Sequence, residues 1–269
     1  MKRNGLLLYT ALALAYAFLY LPSVLRVIYS FNASRLVTVW GGFSTKWYGE
    51  LIHDEKVLDA AWLSLKVALT SATMSTLLGT LAAVVLVRFT RFTGRTLFSG
   101  MVTAPLVMPE VITGLALLLL FVAMEHWLGW PAGRSMTTIV IAHTTFSLSF
   151  VTVVVRSRLS QMDRSLEEAA MDLGAKPLKV FTAITLPLIA PALLAGWLLA
   201  FTLSIDDVVI SAFVSGPGAT PLPIVIFSKV RLGVSPEINA LATMVVALVA
   251  IAMAVAGRVA LSREKPQAL

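Results

Sequence analysis

The chain has 269 residues, of which 58% are hydrophobic and only 13% charged, and its mean hydropathy is +0.88. A soluble domain is about 45–50% apolar and about 25% charged, so this composition excludes a disordered chain and argues strongly against a soluble enzyme. An integral membrane protein remains, and for such a chain the net charge of +7 first asks which side the cations occupy.

A helix crosses the hydrocarbon core with about 20 apolar residues. The first uncharged run is Leu6–Leu25. Behind Lys2-Arg3 it resembles a signal peptide, but it exceeds the usual apolar core of about 7–15 residues and no small-residue cleavage site follows, so a retained anchor is expected. Val67–Val87 is the second run, and Thr96–Met124 is the third, interrupted only by Glu110. Ser135–Val155, with His143 inside it, is the fourth. Val180–Ile205 and Ile238–Gly257 are the fifth and sixth. A further uncharged run, Val208–Ser228, contains Gly216-Pro217-Gly218, Pro221 and Pro223. Those residues break helices, so a loop or a re-entrant segment packed against protein is expected there.

The predicted fold is therefore all-α and polytopic, with six transmembrane helices at about 6–28, 62–87, 98–124, 136–156, 184–206 and 238–258, in a single membrane domain spanning 1–269. Six spans put both termini on one side. With the N-terminus inside, 13 of the 21 Lys and Arg residues lie inside and 8 outside, and the Arg88–Arg95 loop holds three Arg and no acid. The positive-inside rule then places both termini in the cytoplasm. Trp40, Trp47, Trp127 and Trp130 fall near the outer interface and read as an aromatic belt. Gly79, Gly114 and Gly196 read as points of close helix approach.

One connection stands apart. The loop over 157–183 lies on the cytoplasmic side, and in it Leu166, Ala169, Ala170 and Leu173 recur at the spacing of one apolar helix face. Ser165-x-x-Glu168 fits a capping box at the start, Gly174 suits the left-handed position at the end, and Pro177 follows. A short amphipathic helix, a stiff turn and a second helical piece leading into the fifth span are predicted. Its mixed acids and bases suit a protein partner better than anionic lipid. A solvated connector or an interfacial helix is the plainer reading.

Acids within spans are costly, about 2.5–3.5 kcal/mol on insertion scales, and usually face a cavity or a partner. Glu110 is expected in the middle of the third span, directly after Pro109 and five residues after Pro105, where the helix should kink and free carbonyls toward a cavity. Asp206 and Asp207 are expected at the outer end of the fifth. Neighbours on a helix point about 100° apart, so at most one of the two should face a central path. Glu110 either lines a path or pairs with a cation of a neighbouring span or subunit. The Asp pair either lines it, caps a helix or binds an external receptor.

His143 reads as a satisfied packing histidine, and His53 and His126 make no metal spacing with it. The chain lacks cysteine, so it has no thiolate ligand or cysteine nucleophile, and no Ser–His or paired-Asp arrangement stands out at matched depth. An intramembrane enzyme is accordingly disfavoured. No phosphate-binding Gly-x-x-x-x-Gly-Lys-Ser/Thr run is present, so ATP binding by this chain is not expected. A secondary transporter driven by an ion gradient would also suit the buried acids, but related halves are not evident.

Glu168-Ala169-Ala170, three residues, Gly174, nine residues and then Ile184-x-Leu186-Pro187 resembles the EAA loop of ABC importer permeases, with every fixed position and both spacings present. The resemblance spans the chain and implies the type I importer permease fold. It further implies that Glu168, Ala169, Ala170, Gly174, Ile184, Leu186 and Pro187 belong to a coupling loop seated in a cleft of a cytoplasmic ATPase dimer. That partner would bind the ATP and magnesium, and this chain would bind no cofactor. Val27-Ile28-Tyr29-Ser30-Phe31-Asn32, Trp47-Tyr48, the stretch from Ala104 to Gly114, Phe213-Val214-Ser215-Gly216-Pro217-Gly218 and the stretch from Pro236 to Thr243 are similar to polyamine importer permeases, most closely those for putrescine, with spermidine/putrescine importers as the near alternative. This likeness implies a bacterial inner-membrane protein with three protein partners: the ATPase, a second and homologous permease subunit, and a periplasmic polyamine-binding protein. It implies no nucleic-acid partner. Glu110, Asp206 and Asp207 are the candidate contacts for a cationic substrate.

Overall fold

The structure, a computed structural model, describes residues 2–36, 39–89, 91–232 and 236–247, with side chains from Leu8 onward. The helices in chain order are α1 (Lys2–Tyr29), α2 (Lys46–Ile52), α3 (Glu55–Arg88), α4 (Arg95–Val107), α5 (Glu110–Leu128), α6 (Met136–Gln161), α7 (Ser165–Asp172) and α8 (Pro177–Val180). A π-helical turn (Phe181–Thr185), α9 (Leu186–Ile205), α10 (Val209–Val214), α11 (Leu222–Leu232) and α12 (Pro236–Ala247) follow. Among the described residues there is no strand, only two isolated bridges. Five segments are long and apolar enough to cross a membrane: Leu8–Tyr29, Glu55–Arg88, Glu110–Leu128, Met136–Gln161 and Pro177–Ile205. The predicted sixth span is seen only through α12; its remainder and the basic tail beyond it lie outside the described residues.

The third span departs from expectation. Thr96–Met124 is not one kinked helix but two helices separated at Met108 and Pro109, both in extended backbone. Proline disfavours helical backbone in the residue before it and has no N–H to continue the ladder, so the pair Met108-Pro109 ends α4 outright. Glu110 is thus the first residue of α5 rather than a mid-helix acid, and it is exposed. A carboxylate in a first helical turn also complements the helix dipole. The Val208–Ser228 run is broken as predicted: α10, a turn closed by the Gly216–Ala219 bridge, and α11.

The chain divides into two compact units, Met1–Leu58 with Ile226–Leu269, and Asp59–Val225. In the first, a buried Asn32 organises the loop after α1. Its carboxamide donates to the Val39 carbonyl at 2.8 Å and accepts from the Gly41 and Ser34 amides at 2.8 and 3.1 Å. The Trp47 indole donates to the Asn32 carbonyl at 2.7 Å. Trp47 is buried, so it belongs to this loop's core and not to the interfacial belt; Trp40, Trp127 and Trp130 are exposed, as a belt requires. In the same unit the Lys229 ammonium bridges Asp54 at 3.0 Å and Glu237 at 2.5 Å. Burial alone would raise the Asp54 carboxyl, but the Lys229 hydrogen bond and charge hold it below its usual value. Burial likewise opposes the Lys229 charge, and the two carboxylates outweigh it and raise the ammonium.

In the second unit α6 is the central helix, packed on α4, α5, α9 and α10. One core gathers Ile139, Ala142 and Phe146 of α6 with Leu117 and Phe121 of α5 and Ile210 and Val214 of α10. The other joins Val151, Val155 and Leu159 to Ala72 and Ala83 of α3 and to Ile189 and Ala200 of α9. Lipid tails are as apolar as leucine, so association here rests on close packing and on polar contacts between helices. Gly79 and Gly196 supply the closeness. A Cβ on Gly79 would stand 3.0 Å from the Val151 Cβ, and one on Gly196 would stand 3.3 Å from its Cγ1. Gly114 does the same for α5 against Phe213 of α10, where a Cβ would meet the ring at 2.7 Å. Hydroxyls add the polar contacts: Ser75 donates to the Thr144 carbonyl at 3.2 Å and Thr152 to the Gly79 carbonyl at 3.3 Å.

Candidate functional site

Two acid doublets, one at each end of the second unit's long helices, carry the candidate chemistry. The first lies in α7. Sequence spacing expected Ser165 to cap this helix with Glu168, and the structure corrects that. The Asp163 carboxylate accepts the Ser165 amide at 2.9 Å, while the Glu168 amide donates to the Arg164 carbonyl. The Ser165 amide bond holds the Asp163 carboxyl below its usual value. An Asp two residues before the helix reaches its first amide sooner than a Ser already inside it.

The other end is as predicted. Gly174 sits at φ +86° and its amide donates to the Met171 carbonyl at 2.8 Å, while Ala175 donates to the Ala170 carbonyl at 3.0 Å. This is the Schellman pattern, and it closes the carbonyl end of α7 before Pro177 starts α8.

The face predicted to be apolar is not buried within the chain. Of that face Leu166, Ala169 and Leu173 are exposed, Leu173 at 90%, and Met171 and Leu178, outside it, are exposed as well. Glu168 is exposed too, and Ala170 is half-buried. Ile184 ends in the π-helical turn, and Leu186 and Pro187 open α9, so the quoted motif runs continuously from α7 into a membrane-length helix.

The residue that sequence reasoning missed is Glu167. Its Oε1 accepts from the Arg88 guanidinium at 2.8 Å and from the Thr185 hydroxyl at 2.6 Å. Glu167 and Arg88 side chains are only 14% and 16% exposed. Around them the C-terminal carbonyls of α3 attract further cations: Arg164 donates to the Val87 carbonyl at 3.0 Å and Arg95 to the Leu86 carbonyl at 3.3 Å. Helix ends leave carbonyls without intrahelical partners, and guanidinium groups satisfy them and complement the dipole. The periodicity of α7 gave no hint of this, because Glu167 pairs with residues 79 and 18 positions away.

The second doublet follows α9. Asp206 caps that helix and is exposed. Asp207 turns inward: its side chain is 9% exposed and lies 3.2 Å from His143 Nε2. Its oxygens accept the Ile210 and Ser211 amides at 3.2 and 2.7 Å, which caps the start of α10. His143 is 2% exposed. Its Nδ1 lies 2.7 Å from Ser204 Oγ and its Nε2 lies 3.0 Å from Ser211 Oγ, while Ser71 donates to Ser204 at 3.0 Å. His143 is therefore a satisfied packing histidine, as expected. The expectation that no Ser–His arrangement exists at matched depth is corrected, since α6 and α9 bring Ser204, His143 and Asp207 together. Ser204 is only 6% exposed and its hydroxyl is engaged by both His143 and Ser71, so the group of three holds helices together.

Glu110 and Gly114 are one turn apart on α5, so Glu110 shares the face that Gly114 sets against α10. Among the described residues, no three His, Asp or Glu side chains gather as a metal site.

A short α10 capped by Asp207, a span interrupted at Pro109 and a motif-bearing loop running into α9 mark this polytopic helical chain. Residues 75–262 match the binding-protein-dependent transport system inner membrane components, and the chain belongs to that family. It is 63% identical over 240 residues to the putrescine transport system permease protein PotI of Escherichia coli (strain K12), covering 89% of this chain and 85% of that one. It is also 46% identical over 233 residues to the spermidine/putrescine transport system permease protein PotC of the same strain, covering 87% and 86%. Among solved structures, a bacterial ABC transporter involved in import of the acidic polysaccharide alginate matches with a TM-score of 0.73 and 17% identity over 96% of each chain. That likeness speaks to the fold alone.

Proposed function

We infer that the chain is a transmembrane subunit of an ATP-driven importer that moves a polyamine, putrescine foremost and spermidine second, into the bacterial cytoplasm by alternating access. The 63% identity to a putrescine permease across 89% of the chain carries this reading. Both termini and the 157–183 loop face the cytoplasm. The exposed Leu166, Met171, Leu173 and Leu178 with Glu168 then form the surface that seats in a separate ATPase, which supplies all nucleotide chemistry. A second, homologous permease completes the pathway. A periplasmic binding protein delivers the substrate, as the family's description supports.

A diamine leaving water needs anionic or carbonyl partners. Glu110 and Asp206, both exposed, supply the carboxylates, whereas Asp207 is committed to His143 and α10. The test is uptake of labelled putrescine and spermidine into vesicles holding the full complex, with and without ATP and the binding protein. Uptake driven by an ion gradient in the absence of ATP would overturn the reading. Glu110→Gln should sharply reduce diamine uptake with assembly intact, and unchanged uptake at low substrate would remove Glu110 from the path. Leu173→Asp should release the ATPase on co-purification; an ATPase retained at wild-type yield would refute the docking surface.

A further inference from the structure

We propose that Glu167 is the positioning residue that carries motion of α7 into the membrane helices, through one carboxylate shared between the end of α3 and the π-helical turn that precedes α9. The proposal rests on the docking role of the loop given above, and it concerns a residue outside the seven motif positions.

The geometry points to a strut. α7 is a two-turn helix whose outer surface is exposed and none of whose residues is fully buried. A helix so mounted transmits a push only through the groups that tie it down. On its inner side Glu167 Oε1 holds both Arg88, the last residue of α3, and Thr185, the last residue of the π-helical turn. Thr185 is 3% exposed, so its hydroxyl has no solvent alternative. Arg164 adds a parallel tie to α3 through the Val87 carbonyl. A π-helical turn is a rare, wide conformation that recurs at functional sites in helices. Here it lies between α8 and α9, and Glu167 fixes its final residue to α7. Displacement of α7 is therefore delivered to two long helices at one point. Glu168, the neighbouring acid, points outward and is left for a partner.

The experiment uses the complete transporter in proteoliposomes, with ATP hydrolysis and putrescine uptake measured together and ATPase retention read by co-purification. Glu167→Gln keeps an acceptor for Thr185 but removes the charge that holds Arg88. The expected result is a retained ATPase and a fall of about tenfold in uptake per ATP hydrolysed, within the usual span of coupling between two sites. Arg88→Glu should do the same. The exchange Arg88→Glu with Glu167→Arg should recover coupling above either single variant, a recovery that a loss of folding alone would not give. An unchanged ratio in both single variants overturns the proposal, as does an exchange no better than the singles. An ATPase lost from the Glu167→Gln complex also overturns it, because Glu167 would then act at the docking surface. Failure of the docking reading itself is seen separately, in the Leu173→Asp variant that keeps its ATPase.

Discussion

The α7 loop and the turn after α9 solve the same problem differently. Each presents two adjacent acids, Glu167-Glu168 and Asp206-Asp207, and in each one member is turned inward and the other left exposed. On α7 adjacent residues point about 100° apart, so helix geometry alone divides Glu167 from Glu168, whereas Asp206 and Asp207 are divided in the link between α9 and α10. The inward partners differ. Glu167 meets a guanidinium and a hydroxyl at a helix end, while Asp207 meets an imidazole, a serine and two amides within the helical bundle. The first arrangement ties a surface helix to the bundle; the second builds the bundle itself. The outward acids, Glu168 and Asp206, are the ones available to other molecules.

That contrast can be broken by substitution. The largest effect is expected from Asp207→Ala, which leaves two amides of α10 without their acceptor and takes one of three partners from His143. Leaving buried polar groups unpaired costs about 1–3 kcal/mol each, so thermal unfolding in detergent should show a loss of about 3 kcal/mol. A wild-type melting curve would mean that water or lipid replaces the carboxylate, and the doublets would no longer differ in kind. Gly174→Ala comes next. Space exists for the methyl group, but φ +86° penalises any Cβ by about 1–2 kcal/mol, felt as local fraying of α7. Hydrogen exchange of the Met171–Ala175 amides would report it, and unaltered protection would contradict the left-handed cap.

The Lys229 triad provides a smaller, pH-dependent comparison outside the spans. The Asp54 carboxyl is held low, so its contribution is present above its unfolded value and lost as pH falls through the folded one. The Lys229 ammonium is held high, so its contribution is present below its unfolded value and lost as pH rises through the folded one. Both side chains are more than a quarter exposed, so after screening Lys229→Met should cost about 0.5–1 kcal/mol near neutrality, with the difference from wild type vanishing at both extremes. A gap that persists at acid pH would show that packing and not charge is lost. The smallest stability effects belong to the outward acids. Glu168→Gln and Asp206→Asn should shift unfolding by no more than about 0.5 kcal/mol. Glu168→Gln should nonetheless weaken ATPase retention and Asp206→Asn should reduce diamine uptake. A large loss of stability in either would erase the division of labour.

The first, second, fourth and fifth spans, the interrupted Val208–Ser228 run and the turn at Gly174 were legible because they depend on local pattern: uncharged length, proline and glycine. The seam glycines were legible for the same reason, since small residues in apolar helices have few other uses. What could not be read depends on distant partners. Nothing around Asp207 reveals that His143, on another helix, lies beside it. Nothing in α7 separates Glu167 from Glu168 until Arg88 is placed. Trp47 looked interfacial because its position in sequence is near an interface, and only Asn32 folds the loop over it. At Pro109 the signal was present, but a proline kink and a full break read alike from one chain segment.

The Val151 contact has a mechanical consequence. With Gly79 on one side and Gly196 on the other, its backbone and side chain leave no clearance for α3, α6 and α9 to slide past one another. Interiors packed this tightly resist graded deformation and instead move as stiff bodies. Compliance along these membrane helices is then expected where the α-helical ladder is already altered, as at the π-helical turn Phe181–Thr185 and the Met108–Pro109 break. One lies beside Glu167 and the other beside Glu110, so the two joints of the block adjoin the residues assigned to the motor and to the cargo.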